Sequence, residues 1–258
     1  MEYETIRFEI KNDVAVLMLD RPQAKNALNT QMRAEILHAV KAAEKGARAL
    51  AITGNGTVFC AGQDFGDQAQ IDNIDLERTL REEYDPMFQA IFNCRIPTVA
   101  AVNGAAAGAG ANLALAADVV IAAETAVFVQ AFSKIGLMPD GGGTWWLPRN
   151  IGAARAMGMA LFAEPVSAKQ AVDWGLIWEA VPDAEFAEHW AERVASLSVG
   201  PTVSYRQIKK ALRGSWENSL AAQLDIEAGL QGRCGQTRDF KEGVVSFLEN
   251  RKANFEGR

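Results

Sequence analysis

Between residues 14 and 19 the chain reads Val-Ala-Val-Leu-Met-Leu, an unbroken apolar run closed by Asp20-Arg21-Pro22. A short apolar run ending in turn chemistry predicts a buried strand. The period then changes. From Thr30 onward Met32, Ile36, Val40 and Ala43 recur at three- and four-residue spacing, which predicts an amphipathic helix. Ala49 to Thr53 predicts a second buried strand, stopped by Gly54-Asn55-Gly56, and Pro97 to Val102 a third, stopped by Asn103-Gly104. Strands alternating with helices predict the α/β class with a largely parallel sheet. Beyond about residue 196 the strand-like runs cease. Tyr205, Ile208 and Leu212 mark one helical stripe, Leu220 and Leu224 another, and Phe240, Val244, Phe247 and Leu248 a third. Such stripes need a partner surface, either the sheet or another copy of the chain. The chain is therefore read as a core over residues 1–195 and a helical region over 196–258, divided by a shift in composition, with no internal sequence repeat.

With 258 residues, 49% of them hydrophobic, the chain has ample mass for a core. Lys and Arg number 26 against 32 Asp and Glu, so the net charge is −6 and no basic footprint for nucleic acid exists. The most lipid-like stretch, Ala100 to Ala123, is interrupted by Asn103, Asn112 and Asp118 and rich in small residues, so it predicts packed interior and no membrane partner. Met1-Glu2-Tyr3-Glu4-Thr5 lacks the basic start of an export signal, and a cytoplasmic location is expected. Cys60, Cys94 and Cys234 are odd in number and without metal-type spacing, which suits reduced thiols.

Three Gly/Ala-rich segments are the candidates for chemistry: Phe59 to Asp64 (FCAGQD), Asn103 to Gly110 (NGAAAGAG) and Met138 to Thr144 (MPDGGGT). Small residues let a ligand approach the backbone, and a Gly/Ala turn entering a helix leaves amide N–H groups without intrahelical acceptors. Such donors can hold an oxyanion; equally, each segment alone reads as tight helix-to-sheet packing. Gly104 to Gly110 spells G-x-x-x-G-x-G, which is neither dinucleotide fingerprint nor P-loop.

Taken together with Arg21-Pro22 and Asn26-Ala27-Leu28-Asn29, and with AVNGAAAGAGANLALAADVVIA over residues 101–122, these segments resemble the crotonase (enoyl-CoA hydratase/isomerase) family over nearly the whole chain. The resemblance implies an α/β, crotonase-like spiral of ββα units with a C-terminal helical trimerisation region, hence a homotrimer or hexamer. It implies an acyl-CoA substrate and no cofactor or metal beyond the coenzyme A carried by that substrate. By position, the backbone N–H groups of Gln63 and Ala109 would polarise the thioester. One such donor is worth about 2.7 to 4 kcal/mol in acyl transfer. Lys25, Ala61, Asp64, Phe65, Gly108, Phe132 and Pro139 would contact substrate, with Arg21 and Lys25 on the coenzyme side.

Hydratases of the family use two glutamates, at positions that here hold Asn112 and Phe132. Neither an amide nor a phenyl ring shuttles protons near neutral pH. Asp140, between Pro139 and three glycines, is the remaining candidate base; its competing role is a helix N-cap for the Gly141 to Thr144 turn. Within the family, residues 131–161 are most similar to isomerases of ring 1,2-epoxyphenylacetyl-CoA, which implies ring expansion to an oxepin and a companion shift of a 3-enoyl to a 2-enoyl double bond. Hydration, another reaction of the family, and non-catalytic acyl-CoA binding stay open. His38 and His189 fall off the main apolar stripes and predict exposed helix surface, Cys60 a small buried hydrophobe, and Asp64 a turn cap as readily as a ligand contact. Tyr84, Phe88, Phe132, Trp145 and Trp146 are aromatics that could wall a ring-sized pocket, each with core packing as its competing role, and the resemblance points to Phe132 as the one facing the acyl group.

Overall fold

The computed structural model describes residues 2–66 and 75–258. Asn12 and Asp13 both take left-handed backbone angles, closing a two-residue hairpin between β1 (Ile6–Lys11) and β2 (Val14–Leu19). β1 alternates Ile6, Phe8 and Ile10 with Arg7, Glu9 and Lys11, a charged edge strand that the sequence reading passes over. From β2 the large sheet continues in parallel through β3 (Ala49–Gly54), β5 (Thr98–Val102), β7 (Val119–Ala123) and β10 (Glu179–Val181). β3 and β5 are buried along their whole length, which is why they read as continuous apolar runs.

A second, four-stranded sheet holds β4 (Val58–Cys60), β6 (Ala105–Ala107), β8 (Val127–Val129) and β9 (Val166–Ser167). The chain visits the sheets in turn and then turns helical: β3, β4, a single-turn α2 (Leu76–Thr79) and α3 (Asp85–Phe92); β5, β6 and α4 (Ala109–Leu115); β7, β8 and α5 (Gly143–Phe162). That is a spiral of ββα units. Its repeat lies in the geometry and not in the residues. Close approach is forced at the second sheet, where a Cβ on Gly104 would stand 2.1 Å from the Thr57 carbonyl oxygen.

Helix α1 (Thr30–Gly46) starts where Asn29 Oδ1 accepts a bond from Met32 N at 2.9 Å, and buries Met32, Ile36, Val40 and Ala43 in the main core. α6 (Ala168–Trp174) and α7 (Asp183–Ser198) follow, and α7 packs Phe186 and Val194 on the other face of the large sheet, against Ala51, Val99 and Ile121. The chain then runs through α8 (Thr202–Gly214), α9 (Leu220–Gly235) and α10 (Arg238–Leu248). α8 is tied to the core by polar contacts: Lys209 Nζ donates to the carbonyls of Cys94 and Ile96 at 2.6 and 2.8 Å, and Lys209 and Arg213 both pair with Asp118. The apolar stripes of α9 and α10 stay open, with Leu220 and Phe247 77% and 84% exposed. None of the described helices is long and apolar enough to cross a membrane.

Candidate active site

The FCAGQD segment runs out of β4 and is pinned by three main-chain bonds. Ala61 N donates to Lys25 O at 3.0 Å, Leu28 N to Gly62 O at 2.7 Å and Asp64 N to Leu28 O at 3.3 Å. A trans peptide sends its C=O and N–H in opposite directions, so committing Gly62 O to Leu28 turns the Gln63 N–H away from it. That N–H has no acceptor among the described residues. Gly62 has φ +93°, and a Cβ there would lie 2.8 Å from Ala107 O and 3.5 Å from Ala109 N. The first and second Gly/Ala segments therefore meet at this glycine. Gly108 N is held by Val129 O at 2.8 Å, and Ala109 opens α4, so its N–H also lacks an acceptor among the described residues.

The third segment supplies the acid. Asp140 O accepts from Gly143 N at 2.8 Å and from Asn112 Nδ2 at 2.7 Å, which shapes the glycine turn before α5. The N-cap reading of Asp140 does not hold: Gly142, with φ +84°, occupies the cap position, and no side chain caps the helix. The carboxylate is left free, its Oδ1 buried without a hydrogen-bond partner among the described residues. Burial first, and then the negative charge of Asp85, push the Asp140 carboxyl up to about 6.

Gln63, Ala109 and Asp140 line one cavity of about 220 Å³, together with Ala61, Phe65, Gly108 and Phe132. Phe132 is a buried wall, 6% exposed. Three other residues expected at the substrate do not line this cavity. Lys25 is exposed in a left-handed corner and contributes its carbonyl to Ala61. Asp64 pairs with Arg21 at 2.6 Å and accepts from Gly66 N at 2.8 Å, so it caps its turn and occupies the Arg21 cation. Burial works to raise the Asp64 carboxyl, but the bonds from Arg21 and Gly66 outweigh it and hold the group below its ordinary range. Pro139 packs near the start of α5, where a Cβ on Gly143 would meet its Cβ at 3.0 Å.

Two further groups shape the site. Tyr84, a candidate pocket wall as well as a core residue by sequence, lines the cavity from the end of a π-helical turn, Leu80–Tyr84, and its hydroxyl donates to Gln63 Oε1. Arg33 is 3% exposed, stacks its guanidinium 4.5 Å from the Tyr84 ring centroid and pairs with Glu83. Its signal was present: Arg33 falls three before Ile36 and seven before Val40, on the apolar face of α1. Trp145 and Trp146 pack on Phe92 and do not line this cavity, and Phe88 stacks on Tyr84. His38 is exposed as expected, but His189 is half-buried, with Nε2 3.0 Å from Glu179. Cys60 is buried and its thiol is pushed up to about 12 by that burial, the state of an inert side chain. Among the described residues no group of three or more His, Cys, Asp or Glu could hold a metal ion.

A family model described as enoyl-CoA hydratase/isomerase matches residues 9–258. The chain is 58% identical over 258 residues, covering all of both chains, to a protein of Rhodobacter capsulatus named "Probable enoyl-CoA hydratase". It is 42% identical over 261 residues, covering 99% of each, to the 1,2-epoxyphenylacetyl-CoA isomerase of Escherichia coli K12. The crystal structure of an enoyl-CoA hydratase from Polaromonas sp. JS666 superposes with a TM-score of 0.92 at 32% identity, covering 97% of this chain and 99% of that one. With the spiral of ββα units, these matches establish that the chain is an enzyme of the enoyl-CoA hydratase/isomerase (crotonase) family.

Proposed function

We propose that this enzyme is an acyl-CoA isomerase that moves a proton with Asp140 while Gln63 N–H and Ala109 N–H hold the thioester oxygen. The observation that carries the reading is the free Asp140 carboxylate, buried on the wall of the cavity that both amides line. A carboxyl pushed up to about 6 is ionised for the most part at neutral pH yet basic enough to take a carbon-bound proton once the enolate is stabilised.

With a 3-enoyl-CoA, Asp140 removes a proton from the carbon next to the thioester, the charge passes to the oxygen held by the two amides, and the proton returns at carbon 4. The product is the 2-enoyl isomer. With a ring 1,2-epoxide of phenylacetyl-CoA, the carbon–carbon bond shared by the epoxide and the six-membered ring breaks as the two ring double bonds shift, so that the oxygen keeps both C–O bonds in a seven-membered oxepin; Asp140 removes the proton next to the thioester, the two amides hold the enolate oxygen, and a proton returns to a ring carbon. No atom is gained or lost in either case, so the steps call for no cofactor beyond the coenzyme on the substrate. Phe65, Tyr84 and Phe132 give the cavity an aromatic lining suited to a ring.

Hydration, the activity in the printed name of the Rhodobacter relative, needs a group to activate water. Asn112 has its amide committed to Asp140 O and Gln130, and Phe132 is apolar. The test is product analysis in deuterated water with 3-enoyl-CoA, 2-enoyl-CoA and the ring epoxide thioester. Isomeric products support the proposal, their deuterium content reading how far the proton held by Asp140 exchanges with solvent before it returns; a 3-hydroxyacyl product formed at comparable rate refutes it. The open apolar faces of α9 and α10 suit self-association of the chain, and sedimentation would read a trimer or hexamer.

A further inference from the structure

We infer that Asn112 is a positioning residue whose side-chain amide fixes the Asp140 loop relative to the oxyanion donor at Ala109. The inference rests on the reading of Asp140 as the base. Asn112 is fully buried on α4, one turn beyond Ala109, and its backbone N–H donates to Gly108 O at 3.2 Å. Its side chain therefore starts from the same helical turn that presents the Ala109 N–H. From there Nδ2 reaches Asp140 O at 2.7 Å, while Oδ1 accepts from Gln130 Nε2 at 2.9 Å.

A main-chain carbonyl only accepts, so the amide edge facing Asp140 must be the NH₂, and the Gln130 donor holds the amide in that sense. Of the two bonds to Asp140 O, the one from Gly143 lies inside the loop; the one from Asn112 alone joins the loop to another element. The carboxylate has no restraint of its own at Oδ1, so its position is inherited from this backbone. The loop also packs closely on this amide, since a Cβ on Gly143 would lie 2.7 Å from Asn112 Nδ2. Gln130 is fully buried beside Asn112, and its Oε1 has no partner among the described residues. An apolar pair would avoid that burial cost, and a use in holding the base accounts for keeping the amides.

The test measures kcat and KM for the 3-enoyl-CoA shift, with pH profiles, in Asn112→Leu, Asn112→Asp, Gln130→Leu and Asp140→Asn. A misplacement near 1 Å costs roughly a hundredfold in rate. Asn112→Leu is expected to lose kcat by at least about tenfold with KM within about threefold of wild type. Gln130→Leu is expected to lose several-fold. Asn112→Asp adds a negative charge near Asp140, which already faces Asp85 of α3 and Tyr84 of the π-helical turn, so the acid limb of its profile should move to higher pH. Turnover within about twofold of wild type in Asn112→Leu overturns the inference. Should Asn112→Leu fail to fold, Gln130→Leu decides in the same way. A lower melting temperature with kcat and KM both unchanged also overturns it, since that is a structural role alone. If Asp140→Asn keeps near-normal turnover, the reading of the base itself falls; if Asp140→Asn is inactive and the Asn112 variants are not impaired, only the positioning role falls.

Discussion

Two of the three groups in the proposed reaction, Gln63 N–H and Ala109 N–H, belong to the main chain and are fixed by sheet and helix geometry. The third, the proposed base, is one carboxylate at the head of a glycine turn, with only its backbone anchored. The two constructions fail in different ways. A main-chain donor survives replacement of its own side chain and is lost only when the backbone moves, whereas the acid is lost with a single atom exchanged.

The largest effect should therefore come from Asp140→Asn. It is expected to lower turnover by about a thousandfold or more while the dissociation constant for an acyl-CoA changes by less than about threefold, as steady-state rates and equilibrium binding would read. Next comes Gly110→Ala, which touches no ligand group. A Cβ there would stand 2.3 Å from Cys60 O, so α4 must retreat from β4 and carry Ala109 with it. A rate loss of about a hundredfold, with roughly 1 to 3 kcal/mol lost in denaturant unfolding, would fit that account. In contrast, Gln63→Ala keeps the N–H and loses only side-chain bonds, those from Tyr84 and Arg33 to Oε1 and the one from Nε2 to Asp64 O, so kcat should fall by less than about tenfold. A large loss in Gln63→Ala beside a small one in Gly110→Ala would reverse the comparison.

Two pH experiments sharpen the acid side. Because the Asp140 carboxyl is pushed up to about 6 and acts as its ionised form, kcat/KM should rise with pH up to that value and level off above it. Stability runs the opposite way. The group's folded value exceeds its ordinary 3.8, so ionisation penalises the folded state; the penalty is absent below the ordinary value and complete above about pH 6. Asp140→Asn should then be more stable than wild type at pH 8 by about 1 to 2 kcal/mol, allowing for partial solvent screening, and the two melting temperatures should converge near pH 4.

The sequence made some of this legible and hid the rest for physical reasons. Val14 to Leu19, the α1 stripe and the runs at Ala49 and Pro97 announce themselves because each buries a long apolar face. The second sheet does not: Val58–Cys60 and Ala105–Ala107 are three residues long and take their strand character from pairing with each other. At the site, the Gly/Ala segments were readable as places where backbone is accessible. Whether Asp140 capped a helix or faced a ligand turned on a two-residue difference in where α5 begins, which local pattern does not resolve. The bonds of Asn112 to Asp140, 28 residues away, and of Tyr84 to Gln63, 21 away, exist only once the spiral has closed. The resemblance assigns Lys25, Asp64 and Pro139 to the substrate, and the fold adds what no alignment shows, that the Lys25 carbonyl and the Asp64 carboxylate help build the loop that carries Gln63.

The packing of Gly110 on Cys60 has an evolutionary consequence. In the proposed reading the electrophilic half of the pocket is made of peptide groups, so it passes through sequence drift as long as the seam between β4 and α4 stays tight, and no side chain there is available for selection to tune. Divergence in catalytic outcome is then confined to the few wall positions that carry functional groups, and descendants of one ancestor can exchange reactions there without rebuilding the scaffold.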